Sequence, residues 1–490
     1  MRILFAVHGY PPECTGGTEL YVRKVANALA ARGHSIFVVA GSLQWFHTDR
    51  TTEDVIDNIP VSRFHRSDPF HERWEKSFCP TAGAFFDKAL AKIKPDLVHI
   101  HHWMRMTRDM AEIARRRKIP AIVTLHDLWT TCLKVDRMLE GEEFCNRKLE
   151  PAGCVACVGG ARQWTGSGEL REAARLFRED IINELTVARR RIVPTKGHGD
   201  RIAAALGLDS KIFTVVPNGS IADLQPGKRR RPLADGILRI GHWGALYPLK
   251  GIHVLLEAVQ QCRYKNQMEV HLYGGISDDG YGARLQQLAE GIRVEFHGPF
   301  RAQDLLKDIF DVVVMPSLAA ESYSFALDEA LALGYPIVAS DFGALGERLG
   351  AAGRTFPRGD RAALAGILDE FIERPASLTK FKVENPPITI HEHAERLEKL
   401  YEEAAAEGKA PQTSQFDDRA HVIFEFQRSE NRLRHALRFE SLARFAREVQ
   451  EDRENRIKMI EFLQAERERL EKMNVELARR VADAEQRSPK

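Results

Sequence analysis

The sequence predicts an α/β fold of two doubly wound domains that face a cleft, followed by a C-terminal helical extension. Two observations support this prediction. Apolar, β-branched runs alternate with amphipathic helical patterns, and the alternation stops near residues 217–232 and then restarts. Residues 411–490, in contrast, contain no strand pattern. A chain of 490 residues is also long enough for two or three domains.

The first domain is expected over residues 1–205. A helical pattern at 18–33 follows its first strand pattern, as parallel strands require a crossover. The strand patterns are almost wholly apolar, which is typical of a sheet covered on both faces. They are RILFAV (2–7), SIFVVA (35–40), DLVHIH (96–101) and AIVTLH (121–126).

The second domain is expected over residues 206–385. PNGS (217–220) and a stretch rich in Pro and Arg precede it, and a helix over 386–410 should return to the first domain. Its strand patterns are ILRIGHW (237–243), MEVHLYG (268–274), RVEFHG (293–298), DVVVMP (311–316) and PIVAS (336–340). Two such sheets bind ligands in a cleft between the carboxyl ends of their strands.

The tail over residues 411–490 is rich in Arg, Glu, Leu and Ala, and apolar residues recur every seven positions. This spacing predicts a coiled coil with polar interruptions, through which we expect the chain to self-associate or to dock a partner. The alternative is a long solvated helix packed on its own protein. The repeat consists of Leu442, Val449, Leu463, Leu470 and Leu477, and Arg456 interrupts it.

The balance of basic and acidic residues argues against nucleic acid as a partner. The chain has 71 basic and 69 acidic residues, a net charge of +2, so nucleic acid is not expected. The clusters RRRK (115–118) and KRRR (228–231) are read as solvated surface or as contacts with an anionic lipid or acceptor. Apolar runs are too short for a signal peptide or a membrane span. The sequence therefore predicts a cytoplasmic protein, with peripheral contact at the cytoplasmic membrane face as an option.

The stretch ESYSFALDEALALGYPIVAS (321–340) holds two glutamates, Glu321 and Glu329, around the start of a helix that follows a strand. Backbone amides at a helix start can hold a phosphate or diphosphate. Glu329 could then accept hydrogen bonds from a ribose, and Glu321 could face a sugar, so the spacing fits a nucleotide-diphosphate sugar. The residues at the helix start are Ser322, Tyr323, Ser324, Phe325 and Ala326.

This stretch resembles the E-x7-E signature of retaining glycosyltransferases with the GT-B fold, family 4 (glycosyl transferases group 1) in particular. The family places a strand ending in Pro-Ser before the signature and a G-x-P-V-[IV]-A-[ST] segment after it. The resemblance covers roughly residues 1–400. Its further matches are Pro316-Ser317, GYPIVAS (334–340), Gly343, Glu347, PNG (217–219) and the loop that contains Pro11, Pro12, Gly16 and Gly17.

The resemblance implies roles for the second domain. Glu329 would bind the nucleotide ribose, Glu321 would contact the donor sugar, and the amides around Ser324 and Phe325 would hold the diphosphate. Lys250, in GALYPLKG (244–251), matches a family lysine that neutralises the leaving diphosphate. No metal or cofactor is expected to be required for catalysis.

In the first domain, the resemblance implies that His126 touches the donor sugar. Glycines such as Gly16 and Gly17 allow the backbone to approach a phosphate or sugar closely. His101 and His102, which end another strand pattern, are weaker candidates on the acceptor side.

Two positions depart from the family pattern. The second diphosphate cation of the family, an arginine, is Ala245 here, so either another residue such as His242 or Arg301 replaces it or the enzyme is slower. The family's E-G-F-G has become ESYS (321–324), which keeps the amides but predicts a stiffer loop.

Four cysteines lie close together in an insertion expected over residues 130–160. Cys154 and Cys157 form a C-x2-C pair. Four thiolates in a cytoplasmic chain suit a structural tetrahedral zinc, whereas the alternative is reduced thiols in a packed loop. The four are Cys132, Cys145, Cys154 and Cys157.

The leading hypothesis is a retaining, hexosyltransferase-like glycosyltransferase. It would move a sugar from a nucleotide-diphosphate sugar to a glycan or lipid-linked acceptor, in surface polysaccharide or glycoconjugate synthesis. One alternative is a catalytically weak protein of the same fold that acts as a scaffold through its coiled coil. Another is a sugar-nucleotide epimerase, which the intact E-x7-E pattern disfavours.

Overall fold

The computed structural model describes residues 1–44, 46–67, 72–158, 167–222, 224, 232–233, 235–276, 279–301, 305, 310–407, 414, 416 and 421. The predicted coiled coil over 411–490, apart from residues 414, 416 and 421, lies outside the described residues and stays a prediction, as does any role of KRRR (228–231). No helix among the described residues is both long and apolar enough to cross a bilayer.

The first lobe is built on a sheet whose strands are parallel except for one antiparallel edge pair. The order along the sheet is β3-β4-β2-β1-β5-β6-β7-β8. Its strands are β1 (Arg2–Val7), β2 (Ser35–Gly41), β3 (Arg50–Ile56), β4 (Ile59–His65), β5 (Leu97–Ile100), β6 (Ala121–Thr124), β7 (Arg190–Val193) and β8 (Phe213–Val215). Its helices are α1 (Gly17–Ala31), α2 (Pro80–Ile93), α3 (Met110–Arg116), α4 (Pro151–Val158), α5 (Ser167–Val187) and α6 (Lys196–Leu206).

The second lobe has a wholly parallel sheet with the order β11-β10-β9-β12-β13-β14. Its strands are β9 (Leu238–Trp243), β10 (Met268–Tyr273), β11 (Arg293–Gly298), β12 (Val312–Met315), β13 (Ile337–Ser340) and β14 (Gly353–Phe356). Its helices are α7 (Ile252–Gln261), α8 (Asp279–Ala289), α9 (Phe325–Leu333), α10 (Ala344–Arg348) and α11 (Arg361–Glu373), and α12 (Ile390–Ala406) follows.

Both sheets reverse their strand order at one point. In the first sheet the reversal falls between β1 and β5, and in the second it falls between β9 and β12. The crevice outside the carboxyl ends of two such strands is where doubly wound sheets bind ligands. The loops after β1, β5, β9 and β12 therefore define the expected binding region in each lobe.

The prediction of two doubly wound domains is confirmed, and the bounds of the strands agree with the sequence patterns to within a few residues. Two details differ. Because β8 pairs with β7, the first sheet extends past residue 205, the expected end of the domain. The β3–β4 hairpin was missed, although Asp57 and Asn58, both with positive φ, form the kind of two-residue turn that joins antiparallel strands.

The last described helix, α12, packs on α1 of the first lobe. Its apolar face buries Leu397 and Tyr401 in the core formed by β1, β2 and α1. The Tyr401 hydroxyl lies 2.6 Å from Nδ1 of His99, and Arg32 pairs with Glu398. The chain thus returns to the first lobe after completing the second.

Candidate functional site

Two strand-end loops at the reversal point of the second sheet bring Lys250 and Glu321 together. Lys250 ends a short turn after β9, and Glu321 lies in the loop after β12. The Lys250 Nζ lies 2.7 Å from Glu321 Oε1, which also accepts a hydrogen bond of 2.9 Å from the Ser317 hydroxyl. Both side chains are mostly buried, so the pair forms a fixed polar floor at this end of the crevice.

The pair is charged at neutral pH. Burial pushes the pKa of Glu321 upward, but the Lys250 ammonium outweighs it and the net shift is downward. Burial likewise opposes the charge on Lys250, and Glu321 holds its pKa above the ordinary value. A buried ammonium that keeps its proton can neutralise an incoming anion, since it is already desolvated.

Helix α9 begins four residues after Glu321. Ser324 is the N-cap, and its hydroxyl accepts a hydrogen bond of 3.3 Å from the Leu327 amide. The amides of Phe325 and Ala326 belong to the first turn, where the backbone N–H groups have no partner within the helix. The loop before the helix is closely backed by Gly343, where a Cβ atom would come within 2.6 Å of the Glu321 amide nitrogen.

Ser324 occupies the left-handed region, with φ 71°, at the position where the family pattern has glycine. Ser324→Ala should lose the cap and cost about 1 kcal/mol of unfolding free energy. Ser324→Gly should cost only a few tenths of a kcal/mol, because glycine is tolerated as an N-cap and adopts positive φ freely. Urea unfolding of the two variants would measure the difference, and an alanine variant as stable as the glycine variant would contradict this account.

Glu329 lies in the second turn of α9 and points back toward β9. Its Oε2 accepts a hydrogen bond of 2.8 Å from the indole Nε1 of Trp243, the last residue of β9. Burial raises the pKa of Glu329 to about 7, although the Trp243 hydrogen bond opposes the shift. Trp243 thereby fixes one oxygen of the Glu329 carboxyl group. Sequence reasoning assigned no role to this tryptophan.

A second arrangement that the sequence did not reveal fixes the loop itself. The Arg348 guanidinium stacks 3.6 Å from the centre of the Tyr323 ring, donates to the Tyr323 carbonyl at 2.7 Å and pairs with buried Asp328. The Tyr323 hydroxyl in turn donates to the Asn218 carbonyl. These contacts fix residues 323 and 324 against α10 and against the Asn218 backbone.

The first lobe meets this loop directly. The Ser322 hydroxyl donates to the His126 carbonyl, and Thr195 donates to the Ser322 carbonyl at 3.1 Å. A Cβ atom on Gly17 would lie 3.4 Å from the Phe325 ring. His126 and the Gly16–Gly17 turn therefore lie beside the start of α9, across the crevice between the lobes.

His126 lies in the loop two residues after β6 ends, not at the end of the strand as expected. Burial lowers the pKa of His126 to about 3, so the imidazole is neutral at pH 7. Its Nε2 lies 3.1 Å from Nδ1 of His101. A neutral imidazole in this place can donate or accept a hydrogen bond but adds no charge.

Further polar side chains surround His126 in the first lobe. His8 Nε2 lies 3.1 Å from Glu19 Oε1, and His102 Nε2 lies 3.2 Å from Asp127 Oδ2. These residues follow β1, β5 and β6 or begin α1, so they gather at the reversal point of the first sheet. The sequence indicated His102 but not the two acids. Glu19 could have been found from its place in the first turn of α1.

Of the two suggested substitutes, His242 does not supply the charge that Ala245 lacks. The His242 Nδ1 lies 2.8 Å from the Val314 carbonyl and therefore carries the proton, and burial lowers the pKa of His242 to about 4. Its Nε2 is then a neutral acceptor. Arg301 follows β11 and Lys250 follows β9, and β10 lies between these two strands, so a role for Arg301 stays a prediction.

The cysteine segment forms a loop with its own cavity. Cys132, Cys145, Cys154 and Cys157 all line it, and all seven cysteines, each within the described part of the chain, are free thiols. No three of the four Sγ atoms lie within 4.8 Å of one another. The described residues hold one other group that could bind a cation: His271 Nδ1 lies 3.0 Å from His297 Nε2 and 3.6 Å from Glu295 Oε2.

Curated relatives cover most of the chain. It is 25% identical over 400 residues to the D-inositol 3-phosphate glycosyltransferase of Rhodococcus erythropolis, covering 76% of this chain and 82% of that protein. It is 26% identical over 420 residues to the MMP alpha-(1->4)-mannosyltransferase of Mycolicibacterium hassiacum, covering 78% of this chain and 91% of the relative.

Among solved structures, the Anabaena protein HepE in complex with UDP and glucose matches with a TM-score of 0.55 at 18% identity, over 82% of this chain and all of HepE. The sucrose-phosphate synthase of Thermosynechococcus elongatus matches with a TM-score of 0.52 at 20% identity, over 83% of this chain and 97% of that one. These matches confirm the GT-B fold.

Two family models match consecutive parts of the sequence. The one described as Glycosyltransferase Family 4 matches residues 15–221, and the one described as Glycosyl transferases group 1 matches residues 237–374. The matched ranges contain the helix start of the first lobe and the E-x7-E stretch of the second. The chain therefore belongs to glycosyltransferase family 4 of the glycosyl transferases group 1, as its motifs predicted.

Proposed function

We propose that this protein is a retaining glycosyltransferase that uses a nucleotide-diphosphate sugar. One observation carries the proposal: a charged Lys250–Glu321 pair lies just before one helix start, and the buried carboxyl of Glu329 lies in the second turn of the same helix. An elongated ligand with a ribose, a diphosphate and a sugar satisfies these three features together. HepE, of the same fold, was solved with UDP and glucose.

The proposed roles follow from charge and geometry. Glu329 accepts hydrogen bonds from the ribose hydroxyls, and the amides of Phe325 and Ala326 hold the diphosphate. As the bond between the anomeric carbon and the diphosphate oxygen breaks, negative charge grows on that oxygen, and Lys250 neutralises it. Glu321 orients Lys250 and faces the sugar. In this mechanism, Lys250 and the helix start together neutralise the charge of the leaving diphosphate.

Transfer with retention places the acceptor oxygen on the face of the sugar that the diphosphate leaves. The acceptor hydroxyl forms the new bond to the anomeric carbon, and its proton passes to the departing diphosphate oxygen. Neutral His126 is placed to bind the sugar from the first lobe without competing for this proton, because its pKa is about 3. The proposed mechanism therefore uses the leaving group as the base.

The acceptor is proposed to bind against the first lobe. The polar side chains around His126 in the first lobe include two carboxylates and several imidazoles, which suit a polyhydroxylated glycan or the head of a lipid-linked one. These residues are His8, Glu19, His102, Asp127 and His126. We place the reaction in surface polysaccharide or glycoconjugate synthesis in the cytoplasm, where free thiols such as these are stable.

Donor hydrolysis tests the proposal without knowledge of the acceptor. A panel of nucleotide sugars is first screened for binding by mass spectrometry. The wild type should then release nucleoside diphosphate slowly from the bound donor, and Glu329→Ala should not. A protein that binds no nucleotide sugar, or one that binds without ever releasing the diphosphate, would favour the scaffold alternative. Conversion of one intact nucleotide sugar into another would favour an epimerase.

Donor affinity should depend on pH through Glu329. Its raised pKa of about 7 means that the carboxyl is largely protonated at pH 6 and ionised at pH 8. Ribose hydroxyls donate better to the ionised form, so donor affinity should rise with pH across this range by up to about tenfold. Calorimetric titration with the donor would measure the rise.

Glu329→Gln should bind the donor more weakly than the wild type at pH 8 and should remove the pH dependence. The nucleotide sugar is the proper ligand for this titration, because its diphosphate has no terminal phosphate that titrates near neutral pH. A wild type whose affinity falls as the pH rises from 6 to 8 would contradict the assigned role of Glu329.

A further inference from the structure

The cysteine segment, residues 130–158, belongs to the first lobe but reaches the second. Met138 is buried in the main hydrophobic core of the second lobe, and Phe144 packs against the same core. Glu142 Oε1 lies 2.9 Å from His253 Nε2 on α7, and the Glu142 carbonyl accepts from Arg358 at 2.9 Å. We name residues 130–158 the clasp, because they join the lobes on the side of the crevice near Lys250.

Hydrophobic burial anchors the clasp at Leu133, Met138 and Leu149, but it does not extend to the helix that carries two of the cysteines. This helix, α4, has the apolar sequence PAGCVACV, yet none of its residues is buried. In the rest of the clasp, short backbone bonds such as Leu139 with Glu143 are supplemented by Arg137, which donates to the Thr131 and Cys145 carbonyls. A helix that buries none of its side chains gains little from packing, and small units of this kind commonly depend on a disulfide or a metal for stability.

The cysteine side chains mark where such a metal would bind. All four line one cavity of about 20 Å³, which is enough for a single small ion or water. The Lys134 amide donates to Cys132 Sγ at 3.4 Å, and Arg147 Nε donates to Cys145 Sγ at 3.4 Å. Hydrogen bonds of this kind support metal-bound thiolates. The cationic residues of the lining can offset thiolate charge; they are Lys134, Arg137, Arg147 and Lys148.

We propose that Cys132, Cys145, Cys154 and Cys157 bind one Zn²⁺ ion and that this ion holds the clasp in the shape that docks on the second lobe. Four thiolates with no free coordination position form a structural zinc site. Binding releases the thiol protons to solvent and draws the sulfurs, which already line one cavity, to about 3.8 Å from one another. The proposal concerns metal content and lobe docking, so it stands independently of the reaction in the crevice.

Metal content of the purified full-length protein is the first test. Wild-type protein prepared without chelators should contain about one zinc ion per chain, as measured by elemental mass spectrometry. The double variant Cys154→Ser/Cys157→Ser should contain only background zinc. Two matched controls should keep the zinc. Cys262→Ser removes a cysteine outside the clasp, and His297→Gln disrupts the other candidate group. Zinc that persists in the double cysteine variant, or a wild type without zinc, would overturn the proposal.

Hydrogen exchange of the wild-type protein tests whether the zinc ion holds the clasp in shape or is bound without a structural effect. This experiment does not require any variant to fold. Removal of zinc with a chelator should increase amide exchange throughout residues 130–158 and around Arg358 and α7, and zinc added back should reverse it. Exchange that is the same with and without zinc would overturn the clasp role. Neither readout involves sugar transfer, so a failure here leaves the proposed function to its own tests.

Discussion

Lys250→Ala is expected to lower kcat for donor hydrolysis by about 10²–10³-fold, because it removes the group that neutralises charge on the leaving diphosphate. The effect should be large because Ala245 stands where the family has a second cation and the neutral His242 does not replace it. Since Lys250 acts mainly as the bond breaks, KM for the donor should change much less than kcat. Initial rates of diphosphate release at several donor concentrations would measure both constants.

Controls are needed because Lys250→Ala also leaves Glu321 buried without its partner. Lys250→Arg keeps the charge and should recover part of the rate, whereas Lys265→Ala, in a turn before β10, should leave kcat unchanged. Thermal unfolding of each variant shows whether the fold is kept. A folded Lys250→Ala variant with a kcat within a few-fold of the wild type would contradict the role assigned to this lysine.

Arg348→Ala is expected to lower the free energy of unfolding by about 3–5 kcal/mol, because it leaves the buried Asp328 carboxylate without its cation. The same change removes the ring stacking on Tyr323 and the hydrogen bond to its carbonyl. Donor binding should therefore weaken as well, since the loop before α9 loses its backing. Urea unfolding and a donor titration would measure the two effects.

Arg354→Ala is the matched control for Arg348→Ala. Arg354 also pairs with a carboxylate, Glu370, but both side chains are more than a third exposed. Such a pair contributes roughly 0–1 kcal/mol, so this variant should be close to the wild type. If the two variants lost the same free energy of unfolding, the burial of Asp328 would not be the cause of the loss in Arg348→Ala.

Much of the fold could be predicted because parallel strands buried on both faces form continuous apolar runs. RILFAV and SIFVVA became β1 and β2 within one residue, and the helical pattern between them became α1. Strand order could not be predicted in this way, since it depends on contacts between segments that are distant in sequence. The β3–β4 hairpin was missed because exposed β3 carries charged and polar residues, and Ser62 and Arg63 interrupt the apolar residues of the mostly buried β4.

Some residues of the candidate site could likewise be predicted from the sequence, and others could not. The sequence indicated Glu321, Glu329 and Lys250 because a strand, a loop and a helix fix their places locally. It did not indicate Arg348 or Trp243, because an arginine 20 residues after Asp328 and a tryptophan at a strand end have no signal of their own. Their roles arise only when α9, α10 and β9 pack together.

A crystal structure of the protein with its nucleotide sugar bound would show where the donor lies. We expect the donor in the crevice between the lobes, with a phosphate oxygen about 3 Å from the amide nitrogen of Phe325 or Ala326. We also expect the ribose hydroxyls on Glu329 and the sugar between Glu321 and His126. A donor bound elsewhere, or one whose diphosphate contacts neither the start of α9 nor Lys250, would contradict the account.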